Sequence, residues 1–322
     1  MKAVRIHAPG GPEVLSVDTI DNPTPGPGQL LVAIEYAGVN FLDTYHRSGR
    51  YPLDLPAPLG MEGAGTVIAT GDNVTGFPVG QRVAWGFTRG SYAEQVVVDA
   101  DAAIVLPDSV STESGAAAML QGMTAHYLVT SVYPADSTTI ALVHAAAGGV
   151  GLLLTQMLAK RGATVIGTVS TDEKAHQATA AGAHHIIRYD KEDVASAVQT
   201  ITEGEKCHVV YDGVGLTTFE ASLGSLRPRG LLGLFGASSG PVPPFDLLRL
   251  GPLGSLVLTR PTLSNFVATP EEHHWRAGEV LADIANGDLA LTIGGRYPLA
   301  DVASAHRDLE SRATTGKLIL EV

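Results

Sequence analysis

The stretch ALVHAAAGGVG, Ala141 to Gly151, runs an apolar segment into a turn of small residues that reopens as a helix. Nothing else in the chain restricts the fold as tightly. A strand-to-helix turn with almost no side chain lets a ligand approach bare backbone, and the helix N-terminus offers unpaired N–H groups and the positive end of a dipole. A phosphate is the natural guest. The dinucleotide fingerprint G-x-G-x-x-G is met as Ala146-x-Gly148-x-x-Gly151, with alanine at the first of its three glycine positions. Gly148-Gly149 by itself equally describes a plain turn, so the surroundings decide. From about Ser137 apolar strands alternate with helical stretches: TIALVHA, ATVIGTVS, HHIIRY, HVVYDGV, LLGLFGA and SLVLTR. That alternation is the pattern of a parallel sheet covered by helices. Between the first two strands Val150, Leu153, Leu154, Met157 and Leu158 follow helical spacing, closed by Gly162. The fingerprint therefore leaves a strand and opens a helix, the context in which it is informative.

Residues 1–120 have another texture. KAVRIH, LLVAIEYAGVN, GAGTVIATG, RVAWGF and YAEQVVVD are short β segments cut by Gly- and Pro-rich turns, which predicts a β-barrel-like module. After Arg260-Pro261 a helix over PEEHHWRAGEVLADIANG, a short strand, and a last helix and strand follow. With 322 residues, 45% of them hydrophobic and 17% charged, two domains are the default. A formal net charge of −12 and the lack of any Lys/Arg block argue against a nucleic-acid surface. The single Cys207 excludes an intramolecular disulfide and a Cys-rich zinc site. No apolar run approaches the ~20 residues that span a bilayer, and the N-terminus lacks a signal-peptide core. A cytoplasmic protein without membrane or nucleic-acid partners is the expectation.

At the end of the second strand of a dinucleotide site, an acid selects the free ribose hydroxyl of NAD. Here the strand ends GTVSTDEK: Ser170 and Thr171 bring hydroxyls and Lys174 a cation, a set suited to a 2′-phosphate. Asp172 and Glu173 have two readings, as first-turn acids of a helix or as ribose ligands. Tyr189, after the third strand, either flanks the same phosphate or is a strand-end aromatic.

VNFLDTYHRSGRYP, LGMEGAGTV, HAAAGGVGLLLTQ, YDGVG and ESRATTGKLIL together resemble the zinc-free quinone oxidoreductases of the medium-chain dehydrogenase/reductase superfamily, over essentially the whole chain. The resemblance implies an α/β protein in which a Rossmann-type nucleotide-binding domain is inserted into a chaperonin-10-like (GroES-like) β-barrel catalytic domain. The expected division is 1–122 catalytic, 123–260 NADPH-binding and 261–322 a return to the catalytic domain. Zinc-dependent relatives carry a cysteine where this chain has Asn40 and a histidine where it has Met61, and they add a four-cysteine lobe that is absent here. Catalytic zinc would lack its thiolate and imidazole ligands. The pairs His184-His185 and His273-His274 do not replace them, because neighbours on a strand or helix point to different sides.

Carried over residue by residue, the resemblance puts Asn40, Tyr45 and Tyr51 at the nicotinamide end, and Thr124 and Tyr127 where the chain enters the nucleotide domain. Gly148, Gly149 and Val150 would approach the pyrophosphate. Ser170, Thr171, Lys174 and Tyr189 would take the 2′-phosphate of NADPH, with Phe235, Gly236 and Ser239 on the nicotinamide side and Arg312 reaching in from the C-terminal segment. Arg312 and Lys317 also read as solvated helix-end cations, and Glu62 reads either as an acceptor for barrel backbone or as a proton-handling group.

The implied activity is metal-independent NADPH:quinone reduction, since a conjugated acceptor delocalises the charge it receives. Tyr51, Tyr45 and Asn40 would orient the acceptor or donate hydrogen bonds to its oxygen. An enone or enoyl-thioester reductase is the alternative enzyme, and a noncatalytic NADPH-binding structural or RNA-regulatory protein the alternative class. SLVLTR, as an apolar terminal strand, predicts a homodimer paired through the nucleotide domains.

Overall fold

The computed structural model describes all 322 residues. The chain divides into two compact units, one of Met1–Met123 with Val267–Val322 and one of Thr124–Phe266. The first boundary falls inside the helix Thr112–Tyr127. The second falls after Phe266, later than Arg260, because the Phe266 ring stacks flat on Tyr127, with centroids 4.3 Å apart and planes 3° apart.

In the first unit the eleven-residue strand Gln29–Val39 organises a seven-stranded sheet, pairing with Glu62–Thr70, Gln95–Asp99 and Lys317–Glu321. Leu30, Val32 and Ile34 face one core with Val67, Val83 and Trp85; Ala37 and Val39 face another with Val4, Ile6, Leu318 and Leu320. The change from even to odd positions coincides with a register shift between Ile34 and Tyr36. One extra residue in a strand re-aims every side chain after it, so this irregularity lets one strand serve two cores. A three-stranded sheet, Leu15–Thr19, Lys2–Ile6 and Ala57–Pro58, completes the β structure of this unit.

In the second unit all six expected strands form one parallel sheet. Across it run His185–Arg188, Thr164–Val169, Ile140–Val143, Cys207–Asp212, Leu226–Leu234 and Val257–Thr259, which in chain order is 3-2-1-4-5-6. This is the Rossmann order, and ligands of such sheets bind at the carboxyl ends of the strands where the order reverses, between the first and the fourth. Ile166, Leu142, Val210, Leu232 and Leu258 lie in register as an apolar row under the helices that carry Val198, Phe219 and Leu223. SLVLTR narrows to Val257–Thr259 as the terminal strand, with Leu256 buried ahead of it.

Candidate active site

Val39 ends its strand opposite Leu318, so the next residue, Asn40, meets Lys317 of the antiparallel neighbour. On the other side Ala37 pairs with Gly63, which brings Glu62 up beside Gly38. A Cβ on Gly38 would run into the Glu62 carboxylate; only glycine leaves it room. The three polar side chains converge in the interior of the unit, with Asn40 3% exposed, Lys317 2% and Glu62 0%. Lys317 Nζ donates to Glu62 Oε2 at 2.5 Å and to Asn40 Oδ1 at 2.8 Å. Asn40 Nδ2 donates to Glu62 Oε2 at 2.9 Å and to the Gly38 carbonyl at 3.3 Å, while Gln121 Nε2 reaches Asn40 Oδ1 at 3.4 Å. The remaining Glu62 oxygen accepts the Leu120 N–H at 2.6 Å.

Two expectations change here. Lys317 is not a solvated helix-end cation: it opens the strand Lys317–Glu321 and is the buried counter-ion of Glu62. Both Asn40 donors and both lone-pair directions of its carbonyl are spent inside the barrel. It holds its neighbours in place and has no donor left for a substrate oxygen. Glu62 does accept backbone, through Leu120.

Asn40 begins the short helix Phe41–Arg47, and Asp43 reaches back to the Asn40 N–H at 2.9 Å. The same Asp43 oxygen accepts the Tyr92 hydroxyl at 2.8 Å; its other oxygen has no partner. Burial pushes the Asp43 carboxyl up to about 7, against the pull of the Tyr92 hydroxyl, the Asn40 N–H and Lys317. This helix and the turn after it carry the aromatic group the sequence reading selected. Tyr45 and Tyr51 meet edge to face with centroids 5.6 Å apart, the Tyr51 N–H bonds the Tyr45 carbonyl, and the Arg50 guanidinium lies 4.5 Å over the Tyr45 ring. His46 adds a ring 5.9 Å from Tyr51, and burial with nearby Arg89 lowers its pKa to about 4, so it is neutral at pH 7. Tyr45 is half-buried and Tyr51 exposed, so this group offers hydroxyls and ring faces to a small planar molecule.

Sequence reasoning did not find Asp43, Gln121, Tyr92, His46 or Arg50, and it did not give Lys317 its buried role. Asp43 had a signal, since an acid three residues after an Asn before an apolar stretch is half of a capping box. Lys317 had a weaker one, sharing strand parity with the buried Ile319.

In the nucleotide unit the helix Gly149–Lys160 starts at Gly148 with no side-chain cap and no acid in its first turn. The helices Asp172–Ala180 and Val194–Ile201 are instead capped by Thr171 and Asp193 side chains. The helix after the glycine turn thus leaves its N–H end open to an anion. A Cβ on Gly151 would collide with the Ala145 carbonyl, which is why the third fingerprint glycine is needed for close helix packing. At the second strand's end, the Tyr189 N–H bonds the Val169 carbonyl at 3.2 Å, which sets Tyr189 beside Ser170. The Thr171 hydroxyl accepts the Lys174 N–H at 3.2 Å, so Thr171 works first as a cap. Asp172 is engaged by Arg188 and Lys191. Its carboxylate is balanced by those two cations, in line with the first-turn reading.

The remaining expected residues are found as follows. Phe235 and Gly236 donate their N–H groups to the Asp212 carbonyl, and the Phe235 ring covers Gly213. The Ser239 hydroxyl donates to the Val214 carbonyl at 2.8 Å and accepts the Thr217 N–H at 3.1 Å, so it holds that loop together. Thr124 and Tyr127 are buried, Tyr127 in its stack on Phe266. Arg312 is exposed and closes the helix Val302–Ser311 in a left-handed conformation, φ 59°.

The family model described as alcohol dehydrogenase GroES-like domain matches residues 26–108, and that described as zinc-binding dehydrogenase matches residues 149–277. The quinone oxidoreductase of Pseudomonas aeruginosa is 45% identical over 321 residues, covering 99% of each chain. The chain belongs to the quinone oxidoreductase family of the medium-chain dehydrogenase/reductases. The Escherichia coli quinone oxidoreductase complexed with NADPH superposes with a TM-score of 0.98 at 40% identity, covering 100% of both chains. A 2-haloacrylate reductase from Burkholderia sp is 37% identical over 326 residues, 99% of this chain and 98% of its own. The α/β fold with a GroES-like barrel is thereby that of the family.

Although one family model names zinc, this quinone oxidoreductase-family chain does not offer a zinc site where zinc-dependent relatives keep theirs. Asn40 and Met61 stand at the ligand positions, and the Glu62 carboxylate is committed to Lys317, Asn40 and Leu120. No group of three or more His, Cys, Asp or Glu side chains is arranged to hold a metal ion. No helix is long and apolar enough to cross a membrane.

Proposed function

We propose that this protein reduces quinones with NADPH. The observation that carries the reading is agreement along the entire chain, in sequence and in fold, with quinone oxidoreductases, one of them solved with NADPH. The residues present suit that cofactor. The open helix end at Gly148–Gly149–Val150 offers N–H groups to the pyrophosphate, and Ser170, Lys174 and Tyr189 surround the strand end where a 2′-phosphate would lie. Thr171 caps the helix that carries Lys174, and Asp172 is held by Arg188. Phe235 and Gly236 form the wall at the fifth strand's end. When bound, NADPH supplies the hydride.

The chain's own part is to place the acceptor and donate hydrogen bonds to its oxygen. Tyr45 and Tyr51 present ring faces against a planar acceptor and hydroxyls toward its oxygen as charge develops there. Asn40 acts behind them, through Glu62 and Lys317, by fixing the start of the helix that carries Tyr45. Purified protein should consume NADPH with 1,4-benzoquinone or 9,10-phenanthrenequinone. NADPH binding without turnover of any acceptor would instead identify a noncatalytic binder. The Tyr51→Phe variant is expected to lose about tenfold or less in quinone turnover, and Tyr51→Ala more, since the latter also removes ring packing. Complete inactivity of Tyr51→Phe with NADPH still bound would make the hydroxyl an obligatory proton donor.

A conjugated acid is the second reading, favoured by the 2-haloacrylate reductase relative and by the Arg50 guanidinium beside Tyr45, a partner for a carboxylate. Including 2-chloroacrylate in the acceptor panel separates the two.

Preference for NADPH over NADH is assigned chiefly to Lys174. Its charge-assisted contact should be worth about tenfold in affinity, the lower end for an exposed site. Lys174→Ala should weaken NADPH binding by that factor and leave NADH unchanged; equal loss for both would remove Lys174 from this role.

The protein works as a cytoplasmic homodimer. Supporting this, Val257–Thr259 is the terminal strand of its sheet, Val257 is 49% exposed, and Leu247 and Leu248 nearby in sequence are 68% and 81% exposed. An apolar edge with unpaired backbone groups is a hazard that pairing with a second copy removes. Light scattering at micromolar concentration should give twice the chain mass.

A further inference from the structure

Behind the glycine-rich turn, four strand and helix ends are joined by a buried polar chain that the cofactor contacts do not include. His144 follows the first strand of the nucleotide unit, Thr168 lies near the end of the second, Asp212 ends the fourth, and Ser222 sits on the helix Phe219–Gly224. All are buried: His144 is 3% exposed, Thr168 1%, Asp212 and Ser222 0%. Ser222 Oγ lies 2.7 Å from Asp212 Oδ2 and 3.0 Å from His144 Nε2; His144 Nδ1 lies 3.1 Å from Thr168 Oγ1. Asp212 also accepts the Thr218 hydroxyl and the N–H groups of Val214 and Gly215. Thr168 Oγ1 accepts the Ala145 N–H at 3.3 Å.

The protons can be assigned by counting. Asp212 is an acceptor on every contact, so the one Ser222 proton goes to it. The Ser222 oxygen must then accept from His144, whose proton is on Nε2. That leaves Nδ1 as a lone pair, which takes the Thr168 hydroxyl proton, and the Thr168 oxygen takes the Ala145 N–H. Every hydrogen-bonding group in the chain is satisfied with a neutral imidazole, and burial favours that neutral form. The direction is opposite to that of a nucleophile and its base, where the imidazole accepts the serine proton. This Ser, His and Asp do not make a hydrolase.

Its position says what it does. The first and fourth strands are adjacent, and between their carboxyl ends lies the switch point where dinucleotides bind. Ala145, whose N–H the chain grips, has φ 51° and begins the glycine turn, and its carbonyl accepts the Gly148 N–H at 2.8 Å. Asp212 at the other end organises the loop Gly213–Thr218 that Phe235, Gly236 and Ser239 pack on. We infer that His144 is a positioning residue for the dinucleotide: through Thr168 it sets the glycine turn, through Ser222 and Asp212 it sets the facing loop, and so it fixes the spacing between the groups on the two sides of the switch point. The inference rests on the cofactor reading above.

The test compares wild-type protein with His144→Ala, His144→Gln and Ser222→Ala, using fluorescence titration with NADPH, steady-state kinetics with a quinone, and binding of 2′,5′-ADP, which lacks the diphosphate bridge. His144→Ala and Ser222→Ala should raise the Kd and KM for NADPH about tenfold, with kcat at saturating NADPH and 2′,5′-ADP affinity little changed. His144→Gln, which keeps an N–H where Nε2 donates, should recover most of the loss. A residue that only supports the fold would lower both ligands' binding alike, and that result overturns the inference. Variants that bind NADPH as wild type does overturn it alone; wild-type protein that binds no NADPH overturns the cofactor reading and this inference with it. Should the variants not fold, imidazole nitrogen NMR of the wild type decides: a His144 proton on Nδ1, or on both nitrogens at pH 7, overturns the assignment, and one on Nε2 only supports it.

Discussion

Replacing Lys317 by Met lowers the free energy of unfolding by about 3–5 kcal/mol, the cost of leaving a buried charge without its partner. Glu62 is fully buried, and after the change its carboxylate keeps only the Asn40 amide and the Leu120 N–H. Adding Glu62→Gln to Lys317→Met should restore part of the lost stability, because the amide carries no unpaired charge and its one oxygen can still accept the Leu120 N–H, while its NH2 cannot accept from Asn40 Nδ2 as Glu62 Oε2 does. Denaturant unfolding of the two single variants and the double variant reads this directly as a coupling energy. Additive losses in the double variant would show that the ion pair is not the unit that matters. Quinone turnover should fall in Lys317→Met in step with the disturbance of Asn40, which loses its 2.8 Å partner.

Asp43→Asn is expected to stabilise the protein above neutral pH, by about 4 kcal/mol at pH 8, and to be close to neutral in effect at pH 4. The carboxyl titrates at 3.8 in an unfolded chain and is pushed up to about 7 in the folded one. Between those values the folded state holds a proton that the unfolded chain has released, so stability falls as pH rises through the window, by ~1.4 kcal/mol per pH unit. Asparagine cannot ionise, yet its carbonyl can accept the Asn40 N–H and the Tyr92 hydroxyl as Asp43 does. His46 and His306 act in the opposite sense. Their folded pKa values, lowered by burial to about 4 and about 3, make folding more favourable as pH rises toward 6.5. The Asp43 contribution is therefore read from the difference between wild type and variant across pH, and parallel curves would contradict it.

Much of the nucleotide unit could be read from the chain because its determinants are local. Strand runs such as ATVIGTVS and HVVYDGV are apolar on both faces, as parallel strands between helix layers must be, and the spacing of Val150, Leu153, Leu154, Met157 and Leu158 is a property of one helix. The turn at Gly148 is local too, and so is the hydroxyl-and-lysine set Ser170, Thr171 and Lys174. In the barrel unit the β segments were legible but their partners were not. The shift between Ile34 and Tyr36 that sends Ala37 and Val39 to a second core depends on which strands pack against Gln29–Val39, and no pattern within that strand announces it.

By itself, then, the sequence determined the two classes of structure, the parallel sheet with its phosphate turn, and the residue types lining it, because periodicity, turn chemistry and capping act over a few residues. Tertiary structure decided what the polar residues do. Asn40, Glu62 and Lys317 lie apart along the chain, as do His144 and Ser222; in the sequence Asn40 read as a group facing the acceptor, Glu62 had two readings, Lys317 looked like a surface cation, and the His144–Ser222 pairing gave no signal. Their roles follow from burial and from the partners that strand pairing delivers. A carboxylate, an ammonium or an imidazole changes from solvated to structural only when water is gone and a counterpart is within hydrogen-bonding reach, and that condition exists only in the folded chain.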